Sequence, residues 1–175
     1  MSFSKKIAML ILILIIISVA GCSCKPEPPV KDDSVPAKPA GKEYQVALYF
    51  SDRNLSGLVA QPATVIADNP DQVPAKAVEA LLKGPSDSRA IRLFPSGVKL
   101  LSLKVSQGLA TVNLSGFSTS GSENEDLLLV TSLVNTLTAI DGIKQVQILI
   151  EGVNPIVIGA MDVSEPLVKD DSKIN

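Results

Sequence analysis

The chain has 175 residues, 16 Lys/Arg against 18 Asp/Glu, and no histidine. A net charge of −2 without a Lys/Arg stripe excludes the basic footprint that supplies most nucleic-acid affinity. With no imidazole, a His-based triad, general base or metal site is impossible.

Lys5 and Lys6 precede an apolar run from Ile7 to Val19, which ends in Val19-Ala20-Gly21-Cys22. Charged, apolar and small-residue regions in that order form a secretory leader. This run of thirteen residues, Ser18 among them, falls short of the roughly 20 that a spanning helix needs. A cysteine directly after the small residues resembles the bacterial lipoprotein signal. That resemblance implies cleavage after Gly21 and acylation of Cys22, with membrane attachment through the lipid. Residues 1–21 are the expected leader, and its loss leaves 14 basic and 18 acidic residues, a net charge of −4. The expected location is extracytoplasmic: the outer face of the cytoplasmic membrane, or the periplasmic side in a diderm. Cys24 is the other cysteine, so an acylated Cys22 leaves no intramolecular disulfide to staple the fold.

Residues 22–42 are the lipidated cysteine and a tether with prolines at 26, 28, 29, 36 and 39. Lacking apolar periodicity, Lys25–Lys42 reads as a stiff solvated spacer that reaches at most about 55 Å. A domain is expected over 43–168, with a polar tail at 169–175.

Tyr44–Phe50 alternates, with Val46, Leu48 and Phe50 on one face, and predicts a strand. Leu58–Ala67 predicts an edge strand because Pro62 interrupts it. Pro74 opens a helix over Ala75–Lys83 with Val78, Leu81 and Leu82 as its apolar stripe, and Gly84-Pro85 stops it. Val98–Ser106 predicts a strand with Leu101, Leu103 and Val105 inward. Gln107-Gly108 turns it into a hairpin with Ala110, Val112 and Leu114. Ser122 and Glu125 form a capping-box pattern opening the longest helix, to about Ile140. Val146–Ile150 and Ile156–Gly159 are the last strands. This order predicts an α+β two-layer sandwich, a mainly antiparallel sheet with two helices on one face.

No chemistry-bearing constellation emerges. Glu123, Glu125 and Asp126 sit in a first helical turn, where the macrodipole favours acids. Asp32-Asp33 and Asp170-Asp171 lack the converging oxygens of a cation site. Ser115, Ser118, Ser120 and Ser122 have neither a histidine base nor a Ser-x-x-Lys motif. No catalytic residue, cofactor or metal is expected.

Several segments in order carry a resemblance: Glu79–Pro85, Phe94–Gly97 with Leu100-Leu101-Ser102, Gly108–Ser115, Leu133–Thr138 and Val146–Gly152. Together, over about Tyr44 to Leu167, they resemble the GerMN domain of sporulation and germination proteins. Asn113 and Glu151 stand where that pattern has Asp. The resemblance implies a non-enzymatic, lipid-anchored envelope module with a shape like ring-building motifs. Its protein partner belongs to an envelope assembly or is a second copy of the chain. The candidate interaction surface is Tyr49, Val65, Phe117, Ile156 and Ile158. The alternative is an extracytoplasmic lipoprotein that binds a small ligand or cell-wall fragment, for which a chain with 3% aromatics offers few stacking surfaces.

Overall fold

The structure is a computed structural model that describes residues 41–175; the leader, Cys22 and the proline-rich tether lie outside the described residues. The fold is α+β, as expected from the alternation of strand and helix patterns.

Strand β1 (Lys42–Asp52) pairs antiparallel with β2 (Leu58–Ala67), in register from Lys42↔Ala67 to Ser51↔Leu58. The Asp52 carboxylate shapes the turn between them by accepting the Ser56 N–H at 2.8 Å and the Ser56 hydroxyl. Helix α1 (Val73–Lys83) follows a short 3-10 turn at Pro70–Gln72 and buries Val73, Pro74, Ala77, Val78 and Leu81. Gly84 ends it at φ +104°, its N–H returning to the Ala80 and Leu81 carbonyls. Strand β3 (Ala90–Ile91), not foreseen in the sequence, pairs with Ser51 and Asp52 on the other edge of β1.

Strands β4 (Lys99–Ser106) and β5 (Leu109–Ser115) form the expected hairpin. Gln107 and Gly108 both have positive φ, the twist that a tight antiparallel turn requires. Two inward assignments fail here, those of Leu101 and of Val105, which is 43% exposed. A bulge between Leu100 and Ser102 shifts the pleat, so Leu100 opposes buried Leu114 while Leu101 is 53% exposed. The extra residue reverses the facing of everything on one side of it.

Helix α2 (Glu123–Thr138) starts at Ser122, whose hydroxyl accepts the Glu125 N–H. It carries the chain from β5 to β6 (Gln145–Ile150), which pairs parallel to β5, Leu109↔Gln145 through Leu114↔Ile150. A small hairpin, β7 (Val157–Ile158) and β8 (Met161–Asp162), closes the fold.

The strands form two three-stranded sheets, β2-β1-β3 and β4-β5-β6, instead of one continuous sheet. No ladder joins them. The helices do: α1 packs on β1, β2 and β4, while α2 packs on β1 and β6. Phe50, Phe94, Val78, Leu81, Val112, Leu133, Leu137 and Ile148 meet in the principal core.

Side chains of α2 explain the break between the sheets. Tyr49 donates its N–H to Thr136 Oγ1 at 3.0 Å, and its carbonyl accepts the Ser132 hydroxyl at 2.6 Å. Near the middle of β1, helix hydroxyls thus stand where a neighbouring strand would pair. Asn135, fully buried, does the same for the C-terminal segment. Its amide donates to the Asp170 carbonyl at 2.8 Å and accepts the Asp170 N–H at 2.9 Å. Residues 169–175, expected as a polar tail, are therefore held to the fold. Asn175 also donates its N–H to the Leu58 carbonyl at 2.9 Å.

Candidate functional site

Of the candidate surface residues, three are interior. Tyr49 is 8% exposed and packs with Leu58 and Leu128, because α2 covers the face of β1 expected to meet solvent. Val65, 6% exposed, is in phase with Ala67 and turns into the principal core. Ile158, 3% exposed, lies in the same core. Phe117 is half-buried against it. Ile156 alone is well exposed, at 72%.

Ile156 has company. Val153 and Val157, which the sequence reading missed, are 67% and 56% exposed on the same loop between β6 and β8. The signal was present in Val153-Asn154-Pro155-Ile156-Val157: three β-branched residues around an Asn-Pro pair cannot all alternate into a core.

The loop is tightly held. Glu151 donates its N–H to the Leu114 carbonyl at 2.8 Å, and Gly152 donates to Asn113 Oδ1 at 2.9 Å. Ile150 and Val153 exchange backbone bonds at 2.8 and 3.0 Å. Asn154 receives Gln147 Nε2 and donates to the Ser164 carbonyl, both at 2.9 Å. Val163 donates its N–H to the Ile156 carbonyl at 2.9 Å. Asp162, at the far end of the hairpin, accepts the Ser164 hydroxyl and N–H, which holds its carboxyl below the usual carboxylate range. Underneath, Gly159 (φ +59°) passes so close to α2 that an added Cβ would lie 2.6 Å from Asp126 Cβ. Buried Asp126 accepts the Ser120 N–H at 2.8 Å, tying the serine-rich loop to the same helix end. With the backbone fixed and the apolar side chains bare, little ordering would remain to be done on any contact.

The sheet edges, by contrast, are poor places to add a strand. Tyr49 points its N–H away from β2, so the Tyr49–Ala60 and Ala47–Pro62 pairs both direct their backbone polar groups outward. Pro62 therefore lacks an N–H where a new strand would need one. Edge strand β4 has its bulge and Lys99 and Lys104. The outer edge of β6 is taken by Val153 and by Leu167, which exchanges two 2.8 Å bonds with Val146. No group of acids, histidines or cysteines among the described residues is arranged to hold a metal ion.

The fold matches solved structures. The chain is similar to a candidate lipoprotein from Clostridium perfringens, at 21% identity and a TM-score of 0.52, covering 75% of this chain and 89% of that one. It is also similar to the tandem GerMN domains of the sporulation protein GerM from Bacillus subtilis, at 22% identity and a TM-score of 0.56. That match covers 79% of this chain but 50% of the tandem protein, so the chain spans half its length. The first GerMN domain alone gives 19% identity and a TM-score of 0.55, over 73% of this chain and 96% of that domain. No curated protein sequence matches. The Germane family model, described as sporulation and spore germination, aligns with residues 47–155, more than half the chain, and the protein belongs to that family.

Proposed function

We propose that this chain is a non-catalytic, lipid-anchored envelope module that joins a membrane-associated assembly through the loop Glu151–Val157. Three β-branched side chains, exposed by 56–72% on a hydrogen-bonded loop, are the observation that carries this reading. Family membership supports a role in sporulation or germination. The leader and Val19-Ala20-Gly21-Cys22 support anchoring outside the cytoplasm, as does the likeness to a candidate lipoprotein. No helix among the described residues is long and apolar enough to cross a membrane. The polar side chains in the core favour a structural role. Ser132, Asn135 and Thr136 bond to backbone of β1 or the C-terminal segment, and Asp126 to that of the serine-rich loop.

The domain plan is part of the proposal. A leader ends at Gly21, Cys22 bears the lipid, and the tether runs to the start of β1 at Lys42. The tether lets the domain search a shell of about 55 Å above the bilayer, where a high local concentration makes weak contacts sufficient. Fractionation with leader cleavage tests the anchor: wild-type chain should sediment with membranes in processed form, and Cys22→Ser should stay unprocessed or mislocalised. Normal attachment of Cys22→Ser would remove the lipoprotein reading.

A further inference from the structure

Acids flank the apolar loop, and bases lie by a separate cleft. Between Lys144 and Lys169 there is no basic residue, but there are three acids, Glu151, Asp162 and Glu165. The apolar loop thus lies in an acidic stretch, and Glu151 and Glu165 form no ion pair among the described residues. Elsewhere, a cleft of about 370 Å³ opens between the C-terminal end of α1 and β2. Leu48, Phe50, Pro62, Ala63 and Pro85 line it, with Lys83 at the rim. Arg92 lies beside Gly84, which lines the cleft, with its Cβ and Cδ 3.3 Å from where a Gly84 Cβ would stand. Lys83 and Arg92 are exposed and also without an ion pair among the described residues.

The two features are complementary in size as well as sign. A cavity of about 150 Å³ holds a benzene ring. The cleft, at about 370 Å³, therefore has room for the side chains of Ile156 and Val157 together. We propose that the acid-flanked loop of one copy docks into the Lys83/Arg92 cleft of a second copy. This rests on the reading of the loop as the interaction surface and adds the partner. Because loop and cleft are different surfaces, the contact is heterologous, and a chain of copies keeps a free loop at one end and a free cleft at the other.

A lipid surface is the weaker occupant. Acids beside the loop are repelled by anionic headgroups.

Cysteine pairing in the full chain, solubilised in detergent and carrying Cys24→Ser, tests the docking. Ile156→Cys and Ser86→Cys, both at exposed positions, are made separately and together. Mixed single variants should form a 86–156 disulfide under mild oxidation, and the double variant should give a ladder of multimers. Lys83→Glu with Arg92→Glu should reduce the linked fraction at least about tenfold, and adding Glu151→Lys with Glu165→Lys should restore it. The proposal is overturned by absence of the mixed disulfide, by indifference to charge reversal, or by equal linking of Ile156→Cys to itself. If no 86–156 link forms but position 156 still crosslinks another protein on intact membranes, self-docking fails and the interaction reading stands.

Discussion

Thr136 Oγ1 accepts the backbone N–H of Tyr49 at 3.0 Å across a sequence separation of 87 residues. With Ser132 on the Tyr49 carbonyl, it lets a helix take the place of a strand. Thr136→Val leaves the buried N–H of Tyr49 without a partner and should destabilise the domain by about 1–3 kcal/mol. Thr138→Ala, whose hydroxyl returns to the Val134 and Asn135 carbonyls of its own helix, should cost less than about 0.5 kcal/mol. Urea denaturation of both variants measures the difference.

Gly159 supports the apolar loop by its lack of a side chain. Gly159→Ala adds a contact at 2.6 Å to a positive φ and should cost about 2–4 kcal/mol. Gly152→Ala has positive φ but nothing within 4 Å, and should cost only about 1 kcal/mol, the conformational part. Thermal melts of the pair separate crowding from backbone strain.

Pro62 is exposed on the outer edge of β2, where it withholds an N–H from an added strand. Pro62→Thr restores an outward N–H on β2 without touching the β1 ladder. Its unfolding free energy should stay within about 0.5 kcal/mol of wild type. Aggregation at raised temperature, followed by light scattering, should quicken.

Much of the fold is legible in the sequence, and the failures share a cause. Alternation with Gln107-Gly108 marks the β4–β5 hairpin, and Ser122 with Glu125 marks the start of α2. The bulge is not legible, because Leu100, Leu101 and Leu103 allow two pleat phases of equal hydrophobicity. Ser132, Asn135 and Thr136 are polar, yet they are buried because they bond to open backbone of β1 and the C-terminal segment. The same blindness places Tyr49 outside. A polar stripe does not disclose whether water or backbone satisfies it.

The acid response follows from Asp170. Its carboxylate accepts the Ser172 hydroxyl and N–H at 2.6 and 2.9 Å, and the hydroxyl bond chiefly holds its pKa below the usual value. A folded pKa below the unfolded one, near 3.9, means stabilisation that is present above that value. It is lost as the pH falls through the folded pKa. Asp52, lowered by Ser56, acts in the same sense at the β1–β2 turn, where Asn175 also binds it. Hydrogen exchange at Asp170 and Asn175, corrected for intrinsic rates, should therefore show less protection below about pH 4, before the α2 amides respond.

The central claim is that the loop around Ile156 is the surface through which the domain engages a protein. Photo-crosslinking on intact membranes tests it most directly, with the probe at Ile156 and, as a control, at exposed Ser102 on the far edge strand. The loop reading predicts a discrete protein adduct from position 156, none from 102, and loss of the adduct when Val153→Asp is added without a change in melting temperature. Equal adducts from both positions, or an adduct indifferent to Val153→Asp, would contradict it.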